Sequence, residues 1–196
     1  MLGPSVPGET PIDDISGLKI PAITTRAELS HHEATNINRA VLKYLASRPT
    51  RRKAPFDFTW CLQLHREMFG DVWNWAGEIR SGALNIGVPF HRIASDMQQL
   101  LDDLHSWSGF QMDLVEQSAR LHHRAVQIHP FVNGNGRWSR MLANIWLKQQ
   151  RSHVVVWPEE TIGAVSTIRE EYLVAIRAAD ELDLQPLVEL HRRYLG

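Results

Sequence analysis

The chain has 196 residues, of which 43% are hydrophobic and 22% charged, and its formal net charge is −1. That is the balance of one ordinary folded domain, not of a disordered chain or a strongly basic one, so no direct binding to nucleic acid is expected. The single cysteine, Cys61, excludes a disulfide framework and a cysteine zinc cluster, and no apolar run approaches the roughly 18 residues of a membrane span.

Residues 1–22 carry Pro4, Pro7, Pro11 and Pro21 and read as an extended arm. The first eight have neither the basic nor the apolar stretch of a secretion signal, so a cytoplasmic location is expected. A helix then starts at Thr24 or Thr25. Thr25 has Glu28 three residues on, a capping-box pattern, and Leu29, Ile37, Val41, Leu42 and Leu45 carry the helix to about Ala46. A basic loop at 48–55 follows, and residues 56–69 read as a second helix that Gly70 ends. In 71–93, Trp73, Trp75, Ile79, Leu84, Ile86 and Val88 alternate with Gly77, Gly82, Gly87 and Pro89, which predicts turns and a short β-hairpin. Ser95 caps a predicted helix that ends near Trp107. Further helices are predicted over about 113–128, from the end of a Gly/Asn loop at 130–136 to about 150, over 159–179 and over 185–194. Residues 153–157 read as a brief β-like stretch. The class is all-α with one small hairpin. Its parts are an arm (1–22), an N-terminal helix and loop (23–54) and a core (55–196).

The chemistry concentrates at 129–140, His-Pro-Phe-Val-Asn-Gly-Asn-Gly-Arg-Trp-Ser-Arg. Gly134 and Gly136 remove side chains where backbone N–H groups converge at a helix N-terminus, an anion site. Asn135 can adopt a left-handed conformation and supplies a side-chain amide. Arg137 and Arg140, three apart, project from one side of the new helix. Together these describe a polyphosphate cradle. His129 beside it is a proton acceptor near neutral pH. The plain alternative is a helix-loop-helix whose glycines serve only the turn. The adjacent pairs His31-His32 and His122-His123 point about 100° apart on a helix, so neither pair chelates one ion.

This stretch resembles the motif of the Fic family, His-x-Phe-x-(Asp/Glu)-Gly-Asn-Gly-Arg-x-x-Arg. The likeness extends over about residues 55–190 and, within the family, is greatest to the subgroup called mobile mystery protein B, through 24–29, 68–73 and 85–89. The resemblance implies a Fic-fold helical bundle with a hairpin flap, and a protein AMP transferase that moves AMP from ATP to a Ser, Thr or Tyr hydroxyl of a target protein. It implies His129 as base, and Gly134, Asn135, Gly136, Arg137 and Arg140 as nucleotide-phosphate ligands, with Arg140 near the γ-phosphate. The family's acidic position, which binds Mg²⁺, is here Asn133, a neutral and weaker ligand for a hard cation. The alternatives are a weakly active or inactive nucleotide-binding, toxin-like module, and a phosphotransferase of the Doc type.

The resemblance also implies that the flap, with Gly82, Asn85, Ile86, Gly87 and Val88, holds an extended target segment by strand addition. Many Fic proteins carry an inhibitory glutamate that pairs with the motif's last arginine. Here the candidate is Glu33, with Glu28 as the alternative, although Glu28 is also explained by the capping box. The subgroup resemblance implies a small DNA-binding, antitoxin-like partner. The arm and the flap are candidate homodimer surfaces, and no membrane partner is expected.

Overall fold

The structure, a computed structural model, describes residues 15–84, 86–107, 109 and 112–196. Eight helices are present among them: α1 (Arg26–Leu45), α2 (Phe58–Phe69), α3 (Ile93–Trp107), α4 (Leu114–Ile128), α5 (Asn135–Gln149), the single turn α6 (Glu159–Ile162), α7 (Thr167–Asp180) and α8 (Gln185–Arg193). The class is all-α, as the sequence predicts.

Local chemistry sets most helix ends. The Thr25 hydroxyl accepts from the Glu28 N–H and the Glu28 carboxylate accepts from the Thr25 N–H, which satisfies two donors that α1 cannot use internally. Asp57 caps α2 through the Trp60 N–H at 2.8 Å. α3 begins at Ile93, before Ser95, because a 3₁₀ turn at Phe90–Arg92 runs straight into it; Ser95 Oγ donates to the Arg92 carbonyl instead of capping. The predicted helix over 159–179 is divided. Gly163 interrupts it, Ser166 Oγ takes the Arg169 N–H to start α7, and the Arg169 guanidinium binds the Ile162 carbonyl at the end of α6.

The hairpin expected around 80–90 is corrected. Among the described residues this segment carries no strand, and Asn85 lies outside them. Its backbone pairs with the loop after α4 instead of with itself: Arg80 N–H donates to the Pro130 carbonyl at 3.0 Å and Val88 N–H to that of Ile128. The two sides are joined by a side chain, since the Arg80 guanidinium donates to the Gly82 and Val88 carbonyls. The β-like stretch at 153–157 is a single bridge, Val155 to Leu195. Residues 1–14 of the predicted arm lie outside the described residues; beyond them, Leu18 forms a bridge with Trp73. Leu42, read as apolar-face, is exposed.

Two apolar clusters flank α5. One joins α1, α2 and α3 to Trp138, Leu142, Ile145 and Trp146 of α5. The other joins α7, α8 and Val115 of α4 to Leu147. α5 is therefore buried along most of its length, and the loop at its N-terminus packs through Phe131 into the first cluster. No helix among the described residues is long and apolar enough to cross a membrane.

Candidate active site

α4 ends at Ile128, and His129 turns the chain with a left-handed backbone, φ 53°. A non-glycine residue there costs about 1 kcal/mol or more and needs support. Arg80 supplies it: Nε donates to the His129 carbonyl at 2.7 Å. Gly87 lies directly over this turn with φ 89°, and a Cβ there would sit 2.6 Å from His129 Cβ. Burial, helped by the Arg80 cation, pushes the His129 imidazole down to about 4, so it is neutral at pH 7. A neutral imidazole keeps one ring nitrogen with a bare lone pair, the condition for a base.

The loop that follows is fixed from below. Phe131 is fully buried, stacked on His65 at 3.6 Å and set edge-on to Trp138. His65 Nδ1 accepts the Gly77 N–H at 3.0 Å, so Nε2 carries the proton and donates to the Asn133 carbonyl at 3.0 Å. Burial holds His65 down to about 3, and it stays neutral. Gly134, φ 79°, is the left-handed residue at the start of α5, where a Cβ would strike Phe69 at 2.7 Å. The left-handed conformation expected at Asn135 falls there instead. Asn135 is the first residue of α5, and its amide closes the loop, accepting from Phe131 N–H and donating to the Phe131 carbonyl, both at 2.9 Å. The first N–H groups of α5, including those of Asn135 and Gly136, have no acceptor within the helix.

Arg137 and Arg140 both line one large cavity, of about 1350 Å³, but their guanidinium groups diverge. Arg137 Nη1 binds Glu33 Oε2 at 2.6 Å and lies over the Phe69 ring. Glu33 is 4% exposed on α1, and its other oxygen accepts from Trp73 Nε1 at 2.7 Å. Arg140 is gripped by both oxygens of Glu159 on α6 and packs against Tyr172; these partners keep its guanidinium charged despite burial. So Glu33, not Glu28, reaches the loop. It meets the first arginine, whereas the resemblance implies the last. Glu28 stays in the capping box.

The same cavity is bordered by His129, Asn133, Ile86, Gly87 and Val88 on the flap side and by Ala34, Ile37 and Val41 of α1. Gly82 stands apart, exposed with open space around it. Trp138 is core, its Nε1 donating to the Cys61 carbonyl. Asn133 Oδ1 accepts the Gly134 N–H at 2.6 Å. Among the described residues no cluster of three His, Cys, Asp or Glu side chains is arranged to hold a metal. One neutral amide oxygen already engaged by the backbone does not by itself make a magnesium site.

Sequence reasoning missed His65, Arg80, Glu159 and Tyr172. His65 had a signal, since it shares the buried face of α2 with Cys61, Leu64 and Met68.

A neutral imidazole, a glycine-rich helix start and two arginines thus share one cavity. The Fic/DOC family pattern matches residues 55–147. The matched stretch, similar to that family, is just under half of the chain. The chain is related to the Fic adenylyltransferases: protein adenylyltransferase fic-1 of Caenorhabditis briggsae is 28% identical over 178 residues, which is 88% of this chain and 33% of that protein. The chain thus spans about a third of that relative's length. A solved fragment of Fic-1 from C. elegans superposes with a TM-score of 0.73 at 25% identity, over 89% of this chain and 50% of that one. The BepC protein of Bartonella tribocorum, solved with bound AMPPNP, shares the fold at a TM-score of 0.66 and 19% identity, over 97% of this chain and 94% of that one. Residues 55–147 thus lie in a helical bundle in which the loop after α4 opens into the large cavity.

Proposed function

We propose that this Fic domain transfers AMP from ATP to a hydroxyl group of a target protein. The observation that carries the reading is the buried neutral imidazole of His129, facing the same cavity as Arg137, Arg140 and the N-terminus of α5. The target O–H gives its proton to His129 as the oxygen attacks the α-phosphorus. The bond from that phosphorus to the bridging oxygen breaks and pyrophosphate leaves with the electron pair. The imidazolium then returns its proton to water. The α5 N-terminus and the arginines spread the phosphate charge, with Arg140 toward the terminal phosphate, and positioning supplies the rest. The apolar side chains of Ile37 and Val41 give the cavity a wall suited to a base.

The rim at 86–88 lies beside His129 and is where a target segment would pass, with half-exposed Ile86 as its apolar contact. Glu33 is the brake in this reading. Its carboxylate occupies a guanidinium that ATP would otherwise neutralise, and the Trp73 bond keeps it there. The likeness to mobile mystery protein B, a cytoplasmic setting and a small DNA-binding partner belong to the same proposal. Asn133 supports a second reading, a nucleotide-binding module with little turnover, because it lacks the carboxylate that would hold magnesium.

The test is label transfer from α-³²P-ATP with magnesium, using wild type, Glu33→Gly, and each combined with His129→Ala. Labelling of the chain itself or of an added lysate protein, abolished by His129→Ala and raised by Glu33→Gly, is the expected result. Label from γ-³²P-ATP alone would assign phosphotransfer of the Doc type. Nucleotide binding without either label would leave the second reading standing.

A further inference from the structure

Behind Arg140 lies a row of buried polar side chains that the reaction above does not use. The guanidinium carbon of Arg140 lies 5.6 Å from the centre of the Tyr172 ring on α7. The Tyr172 hydroxyl is 3.1 Å from His122 Nε2. His122 Nδ1 is 3.0 Å from His191 Nε2, and His191 Nδ1 is 2.9 Å from Ser118 Oγ. Ser118 Oγ lies 2.8 Å from the Val115 carbonyl. Ser118, His122 and His191 are fully buried, and Tyr172 nearly so.

The carbonyl end of this row settles its direction, because a backbone carbonyl can only accept. From the carbonyl inward, Ser118 must give its proton to Val115, so it accepts from His191 Nδ1–H. His191 Nε2 then accepts from His122 Nδ1–H, and His122 Nε2 accepts from the Tyr172 O–H. Each ring nitrogen and each hydroxyl proton in the row is then used once. Burial also keeps both imidazoles in the neutral state that the pattern needs.

Resting on the reading of Arg140 as a ligand of the nucleotide phosphates, we propose that Tyr172, His122 and His191 are positioning residues for Arg140. They form a one-way chain of hydrogen bonds that fixes the Tyr172 ring, on which the guanidinium packs. The Glu159 carboxylate and the Tyr172 ring share Arg140, but they differ in permanence. The Glu159 side chain is 49% exposed and can turn into water when phosphates arrive. Tyr172 is buried, with its proton committed to His122, and stays.

The assignment makes a prediction that needs no variant. In wild-type protein labelled with ¹⁵N, long-range proton–nitrogen correlation should show His122 and His191 neutral at pH 7, both with a protonated Nδ1 and a bare Nε2. An Nε2-protonated or cationic ring at either position overturns the chain. Tyr172→Phe keeps the ring and removes the hydroxyl that ties it to His122. By calorimetry it should bind ATP roughly tenfold more weakly than wild type while its affinity for AMP, which lacks the distal phosphates, stays the same. Equal losses for both nucleotides, or no loss for ATP, would overturn the positioning role. A wild type that binds neither nucleotide would instead overturn the nucleotide reading, and the ring nitrogens would still decide whether the chain exists.

Discussion

Glu33→Gln separates the two jobs of one side chain. The glutamine oxygen can still accept from Trp73 Nε1, but the charge facing Arg137 is gone. An exposed ion pair contributes about 1 kcal/mol at most, and truncating a fully buried one costs about 3–5 kcal/mol. The pair here lies between these limits: the glutamate side chain is 5% exposed and the arginine 30%, so Arg137 can take up water once released. A loss of about 1–2 kcal/mol follows for the nucleotide-free protein, or a melting temperature lower by a few degrees for a chain of this size. ATP binding should change in the opposite sense. The phosphates no longer compete with a carboxylate for Arg137 and no longer face its negative charge, a gain of about 1–2 kcal/mol that corresponds to roughly 5–30-fold tighter binding.

The assay is therefore paired. Thermal unfolding without nucleotide should place Glu33→Gln below wild type, and unfolding with saturating ATP should narrow or reverse that gap. Calorimetry should give the tighter constant directly. Trp73→Phe removes the other anchor of Glu33 and should move ATP affinity in the same direction by less. If Glu33→Gln binds ATP no better than wild type, Glu33 does not compete with the nucleotide, and its bond to Arg137 only ties α1 to α5.

Acid should unfold the protein early. His65, His191 and His129 are held near 3, 3 and 4 against an ordinary 6.5, so the unfolded chain binds more protons below that value. Their contribution to stability is complete above about pH 6.5 and declines as pH falls; at pH 5 each costs about 2 kcal/mol. Denaturant midpoints measured from pH 7.5 to 5 should fall steeply, and a flat profile would contradict the neutral buried states. Gly87→Ala should abolish transfer while the domain stays folded, because its Cβ strikes His129 in a backbone conformation that alanine disfavours; label transfer and circular dichroism together test this. His65→Phe should cost about 2–5 kcal/mol in a denaturation series, because the Gly77 N–H and the Asn133 carbonyl both lose their partner. Asn133→Asp should increase the magnesium dependence of ATP binding, read as the shift in binding constant between magnesium and EDTA.

What was legible in the sequence was local. Thr25 and Glu28 announce the start of α1 because both partners lie within one turn. The 129–140 loop is legible because its glycines, asparagine and arginines act within a dozen residues. The flap was misread because alternating apolar residues and glycines look alike whether the carbonyls are joined by a strand ladder or by one guanidinium, and Arg80 reaches the His129 carbonyl across 49 positions. His65 likewise serves a carbonyl 68 positions away.

The arginine pair shows how far such long-range order reaches into function. Two residues three apart on a helix predict one shared direction, and for the helix backbone that is correct. The side chains nevertheless part, because a carboxylate from α1 and another from α6 stand on either side of α5. At rest each guanidinium that would face phosphate is already neutralised by a carboxylate from a neighbouring element. One carboxylate is buried and pinned by Trp73, and the other is half in water. The cost of admitting ATP is therefore unequal at the two arginines. Arg140 can release Glu159 to solvent and remain backed by Tyr172, whereas Arg137 opens only when α1 lets Glu33 go. On the proposed function, control of the site belongs to α1, which lies outside residues 55–147.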